Sequence, residues 1–99
     1  MIRSFRDKEA KRIYQRERSP SVPPNLQRVA LRKLRMLDAA QNLGDLRIPP
    51  GNQLEPLKGD RKGQHSIHIN DQYRVCSEWR DGHAYEVEIV DYHRKRRSR

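Results

Sequence analysis

The stretch GQHSIHINDQYRVCSEWRDGHAYEVEIV, residues 63–90, decides the fold, because here the apolar period changes from helical to twofold. Ile67 and Ile69 share one side, followed by Tyr73, Val75 and Trp79 and then by Tyr85, Val87 and Ile89. That alternation is what a strand shows when one face is buried and the other is not. Asn70-Asp71 and Asp81-Gly82 are short polar breaks made of residues that tolerate positive φ, so three antiparallel strands joined by two-residue turns are predicted. Within this phase Arg74, Cys76 and Glu78 point away from the apolar side, and Trp79 and Tyr85 read as core aromatics.

Upstream the pattern is helical. Leu26, Val29, Ala30, Leu34, Leu37, Ala40 and Leu43 follow the i, i+3, i+4, i+7 rule while Arg28, Arg32, Lys33 and Arg35 take other angles, which predicts a helix from Pro24 or Asn25 to a stop at Gly44. Asp7 offers the start of a shorter amphipathic helix over Arg6 to Arg16, and Ser19-Pro20-Ser21-Val22-Pro23-Pro24 breaks the chain between the two. Met1 to Phe5 reads as a short first strand, and Leu46 to Gln53, with Pro49-Pro50-Gly51-Asn52 inside it, as an extended loop. The expected class is α+β, a small antiparallel sheet with two N-terminal helices packed on one face in the order β-α-α-β-β-β. The other face is left for function.

The bulk composition bounds the rest. At 99 residues, 33% apolar and 35% charged, the chain has material for one small core, so residues 1–93 are expected to form a single domain. Residues 94–99, Arg94-Lys95-Arg96-Arg97-Ser98-Arg99, are expected to be a mobile basic tail. The 22 Lys and Arg against 13 Asp and Glu give a net charge of +9, a field that concentrates polyanions such as RNA, DNA or an acidic protein. No run of about 18 apolar residues exists to span a bilayer, and Met1-Ile2-Arg3-Ser4-Phe5-Arg6 lacks the apolar run of a signal peptide, so no membrane partner and a cytoplasmic location are expected. Cys76 is the sole cysteine and reads as a packing group, and the four histidines show no structural zinc spacing; no metal and no cofactor are expected.

Two polar clusters remain. Glu55, Lys58, Asp60, Arg61 and Lys62 precede the first strand of the quoted stretch, and Asp91, Tyr92 and His93 follow its last strand, with Arg74 between them in sequence. Metal-free cleavage of RNA through its own 2′-hydroxyl needs a base at that oxygen, an acid at the departing 5′-oxygen and cations around the phosphate, and these residues supply candidates for each role. Blander readings stand beside this one. Lys58 to Lys62 also reads as a solvated turn, Asp91-Tyr92-His93 as a strand end closing the core, and His65 and His68 as structural histidines.

The ordered set of motifs resembles the HigB-type toxins of the RelE/ParE toxin-antitoxin superfamily. The likeness runs through Met1-Ile2-Arg3-Ser4-Phe5, Arg32-Lys33-Leu34, Met36-Leu37-Asp38-Ala39-Ala40, Pro50-Gly51-Asn52, Leu57-Lys58-Gly59-Asp60, Gly63-Gln64-His65-Ser66-Ile67, Asn70-Asp71-Gln72-Tyr73-Arg74 and Glu88-Ile89-Val90-Asp91-Tyr92-His93. It implies a RelE-like, microbial RNase-like fold, cleavage of messenger RNA in the A site of a translating ribosome, and neutralisation by a HigA-like helix-turn-helix antitoxin. The implied partners are thus the small subunit with its 16S rRNA, the messenger and the antitoxin. Carried over by position, the family's acidic-Tyr-His ending falls on Asp91, Tyr92 and His93, its loop lysine on Lys58 and its strand arginine on Arg74. Some members carry histidine where this chain has Glu55, so the resemblance leaves either Glu55 or Asp91 as base, with His93 as acid, Tyr92 against the nucleotide, and Lys58, Arg61, Lys62 and Arg74 on RNA. Two other functions are compatible with the same features: a ParE-like gyrase poison, which does not need the Asp91, Tyr92 and His93 trio, and a non-catalytic basic RNA-binding or ribosome-binding protein.

Overall fold

The computed structural model describes residues 1–92; His93 and the 94–99 tail lie outside the described residues. Helix α1 spans Lys8–Tyr14 and helix α2 spans Pro24–Ala39. Strands β1 (Glu55–Pro56), β2 (Gln64–His68), β3 (Tyr73–Arg80) and β4 (His83–Asp91) form one antiparallel sheet in that spatial order. The expected α+β layering holds, with an additional two-residue strand, β1, that the sequence pattern is too short to announce.

Asp7 caps α1 through its side chain, which accepts the Ala10 N–H at 2.6 Å and also reaches the Ile89 N–H at 3.1 Å, so one carboxylate fixes both the helix start and its position over β4. In α2, Ala30, Leu34 and Leu37 are buried at helical spacing against Ile67, Val75 and Val87 of the sheet. Burial of each leucine contributes about 1.5–3 kcal/mol before chain entropy is charged against it. The expected stop at Gly44 comes too late. Asn42 and Asp45 form a capping box that opens a separate 3-10 turn over Leu43–Arg47, and the Asp45 carboxylate takes the Gln41 and Asn42 N–H groups that would have continued the helix.

The expected first strand, Met1 to Phe5, is reduced to two isolated parallel bridges on the outer edge of β4, Ile2 with Ala84 and Phe5 with Val87. Between them Glu86 takes φ 53° and its N–H turns to the Ser4 hydroxyl at 2.9 Å. This irregularity shifts the β3–β4 register between Cys76 and Glu78. It also corrects Tyr85, which pairs with Glu78 on the side away from the helices, where Arg80 lies 4.1 Å over its ring, while Trp79 packs at the core as expected.

The Asp81-Gly82 turn has φ 52° and 80°, the paired positive angles of a tight hairpin. The Asn70-Asp71 break is longer than expected. Asn70 Oδ1 accepts from the Gln72 and Tyr73 backbones at 2.9 and 2.8 Å, so four residues connect β2 to β3. The segment expected as an extended loop, Leu46 to Gln53, holds a second 3-10 turn at Pro50–Asn52. Among the described residues no helix is long and apolar enough to cross a membrane.

Candidate active site

Cross-strand register gathers the site on the sheet face away from the helices. Glu55 stands opposite Ser66, Ser66 opposite Cys76, and Cys76 opposite Glu88; in the adjacent row His68 stands opposite Arg74 and Arg74 opposite Val90. Directly opposed residues share a face, so a two-residue strand is enough to bring Glu55 from the loop to the row beside Arg74.

Arg74 is the centre of this face. It is 8% exposed, and its Nε donates to Ser66 Oγ at 2.8 Å while Nη2 donates to the Gln53 carbonyl at 2.5 Å and the Ser66 carbonyl at 3.5 Å. Nη2 also lies 3.6 Å from Glu55 Oε1, a carboxylate whose side chain is 58% exposed, and the guanidinium stands 6.0 Å from the Tyr92 ring centre. Gln53, Glu55, His68, Asn70, Asp71, Arg74 and Tyr92 line a cleft of about 210 Å³. A buried charge held by neutral oxygens on one edge, with its carboxylate partner at the surface, is ready to exchange that partner for a phosphate.

Beside the cleft, Arg61 donates to Glu88 at 2.9 Å and to Gln64 Oε1 at 3.0 Å, with Arg6 at 3.9 Å from the same Glu88 oxygen. Burial disfavours the Arg61 charge, but the Glu88 bond outweighs it and holds the guanidinium more firmly charged than usual. Tyr92 closes the cleft over Cys76, with Oη and Sγ 3.9 Å apart. Burial, then the neighbouring Cys76, pushes the Tyr92 phenol up against the opposing pull of Arg61 and Arg74, so it remains protonated at neutral pH. Burial pushes the Cys76 thiol up as well, which fits a packing group under the ring.

Not every candidate residue meets here. Strand alternation separates Asp91 from Tyr92: Asp91 pairs with Tyr73 on the helix side and lines a different cleft with Asp7, Glu9, Ser21, Val22 and Ile89, its Oδ2 accepting from Gln72 at 3.2 Å. Lys58 and Lys62 flank the exposed 3-10 turn Gly59–Arg61, and neither side chain makes a hydrogen bond or ion pair among the described residues. His93 lies outside them. Conversely, His68 reaches the cleft, with Nε2 3.8 Å from Asp71 Oδ1, although its sequence context favours a structural histidine. Its parity with Arg74 across the β2–β3 turn is the signal that could have found it. Gln53 gave no such signal, because its part is played by a backbone carbonyl. Among the described residues no three His, Cys, Asp or Glu side chains gather as a metal site.

The comparisons with known proteins agree with this fold. A family model described as "RelE-like toxin of type II toxin-antitoxin system HigB" matches residues 3–93. Toxin HigB-1 of Vibrio cholerae serotype O1 is 45% identical over 95 residues, covering 95% of this chain and 99% of that protein. Endoribonuclease HigB of Proteus vulgaris is 34% identical over 94 residues, covering 94% and 100%. Two crystal structures of YafQ from E. coli, one of them a point variant, align with TM-scores of 0.54 and 0.55 at 11% and 13% identity, each covering 96% of this chain and 98% of theirs, a likeness of fold alone. The chain belongs to the HigB-like family, the RelE-like toxins of type II toxin-antitoxin systems.

Proposed function

We propose that this toxin is a ribosome-dependent endoribonuclease that cuts messenger RNA in the decoding A site and so inhibits translation. The buried Arg74 guanidinium, presented beside the exposed Glu55 carboxylate under Tyr92, is the observation that carries the reading. The Proteus vulgaris relative, named an endoribonuclease, supports the same reaction class.

In the proposed step Glu55 takes the proton of a 2′-hydroxyl, the freed oxygen attacks the adjacent phosphorus, and the bond to the 5′-oxygen breaks as His93 protonates it. Arg74 holds the phosphate and meets the negative charge that grows on its oxygens, with greater effect at a buried site than in water. Lys58, Arg61 and Lys62 bind the RNA on either side, and the protonated Tyr92 phenol stacks on or donates to a nucleotide. Of the two candidate bases Glu55 is preferred over Asp91, because its carboxylate stands 3.6 Å from Arg74 while Asp91 is on the helix side of the sheet. No resident metal takes part in this scheme. A HigA-like helix-turn-helix protein is the proposed antitoxin, the small subunit with its 16S rRNA the proposed platform, and the cytoplasm the proposed compartment.

The test is a defined messenger incubated with the purified protein, with and without translating ribosomes. Cuts confined to the ribosomal sample and spaced in codon phase support the proposal; equal cutting of naked RNA, or none in either sample, removes it.

A further inference from the structure

The Arg74 guanidinium is reached by a chain of contacts that begins at Lys33 of helix α2. Asn52 is 0% exposed, yet it carries a full set of polar groups in a small core. Its Oδ1 accepts from Lys33 Nζ of α2 at 2.5 Å, and its Nδ2 donates to the Leu46 carbonyl at 3.1 Å and touches the Met36 sulfur at 3.8 Å. The Asn52 backbone N–H donates to the Pro49 carbonyl at 2.9 Å, closing the 3-10 turn Pro50–Asn52. The next residue, Gln53, takes φ 45° and ψ 57°, a left-handed conformation that a non-glycine side chain adopts only when its surroundings hold it there. It is the carbonyl of this residue that accepts Arg74 Nη2.

Why a polar asparagine is buried here follows from this geometry. An apolar residue of the same size would fill the space equally well, and burying an amide brings no stability unless every group is bonded. What the amide adds is direction, since it pins the turn to α2 through Lys33 and to the preceding turn through Leu46, and so fixes the Gln53 carbonyl. Lys33 is half-buried, and burial lowers its pKa, so its ammonium is held at a cost in hydration with the Asn52 amide oxygen as its bonded partner.

We propose that Lys33 and Asn52 are positioning residues for the cleavage reaction, acting through the Gln53 carbonyl to aim Arg74 at the scissile phosphate. The proposal rests on the nuclease reading above. A displacement of a reacting group by about 1 Å costs up to about a hundredfold in rate, so a loss of roughly tenfold to a hundredfold in kcat is expected for Asn52→Ala, with a smaller change in KM. Lys33→Met, at a half-buried site, is the second variant in case Asn52→Ala does not fold.

The deciding experiment is a double-variant cycle on ribosome-bound messenger in single turnover, with melting curves to select folded proteins. Asn52→Ala and Lys33→Met are each combined with Arg74→Lys. Slow single variants whose further loss vanishes once Arg74 is replaced support the relay. Equal fold-losses with and without the native Arg74, or full rates in folded Asn52→Ala and Lys33→Met, overturn it. Absence of cleavage by the parent protein on ribosomes removes the nuclease reading and the relay together; full rate in a folded Arg74→Ala removes the phosphate role of Arg74 and the relay with it, and a slow Arg74→Ala with multiplicative Asn52 and Lys33 effects removes the relay alone.

Discussion

Replacing Arg74 with alanine separates the stability role of this residue from its proposed chemical one. The side chain donates hydrogen bonds to Ser66 Oγ and to the Gln53 and Ser66 carbonyls, at 2.8, 2.5 and 3.5 Å, and pairs with Glu55 at 3.6 Å. The weak third contact and the exposed ion pair contribute little, since exposed pairs are worth about 0–1 kcal/mol. The two short bonds, each from a charged donor, are worth about 1.5–3 kcal/mol apiece, and part of that returns when water enters the vacated space. A net destabilisation of about 2–4 kcal/mol follows, and at about 4–8 °C per kcal/mol the melting temperature should fall by at least 8 °C. The catalytic effect is larger. Losing one oriented donor from a developing oxyanion costs about a hundredfold to a thousandfold in rate, so single-turnover cleavage on ribosomes should drop by that factor at a temperature where calorimetry shows the variant folded. Arg74→Lys should recover much of the stability but little of the rate, because an ammonium cannot hold Ser66, Gln53 and a phosphate through one planar fork. Cleavage within threefold of the parent by folded Arg74→Ala would refute the reasoning.

Glu55→Gln should lose at least about a hundredfold in rate, while Asp91→Asn, on the helix side, should stay within about tenfold; the reverse order in a single-turnover assay would transfer the base to Asp91. Asp7→Ala should lower stability by about 1–2 kcal/mol in urea titration through loss of the α1 cap, with activity per folded molecule unchanged. Burial holds His65 neutral by lowering its pKa from 6.5, and its Nδ1 is buried without a partner among the described residues. Folding therefore favours the unprotonated ring, and this contribution is complete above pH 6.5 and is lost as pH falls towards the lower folded value. His65→Gln should flatten the fall in melting temperature between pH 7 and pH 5; an unchanged slope would exclude His65 as its source.

Much of this arrangement is legible in the residues because it follows from local periods. The alternation of Tyr73 and Val75 with Arg74 and Cys76 identifies the open face directly, and the helical spacing of Ala30, Leu34 and Leu37 identifies what covers the other one. Asp7 reads as a cap and caps. The features that stay hidden depend on contacts distant in sequence or on single backbone angles. A two-residue strand at Glu55–Pro56 has no period, so its pairing with β2 is invisible until the sheet exists. Glu86 at φ 53° moves Tyr85 out of the phase its spacing suggests. The Asp91-Tyr92 pair invites one functional label, yet adjacent strand residues face opposite sides, and parity with Tyr73 sends Asp91 to the helices. Asn52 looks like part of a polar loop and is buried, because Lys33 lies nineteen positions upstream.

The chemical ends left on cleaved messenger test the central proposal most directly. Transcript cut on translating ribosomes is recovered, and both new termini are identified by mass spectrometry and by their response to polynucleotide kinase. Attack by the 2′-hydroxyl beside Arg74 should leave a 2′,3′-cyclic phosphate and a 5′-hydroxyl. A 5′-phosphate facing a 3′-hydroxyl would mean that water, not the RNA itself, supplied the nucleophile, and would contradict the roles given to Glu55 and Arg74.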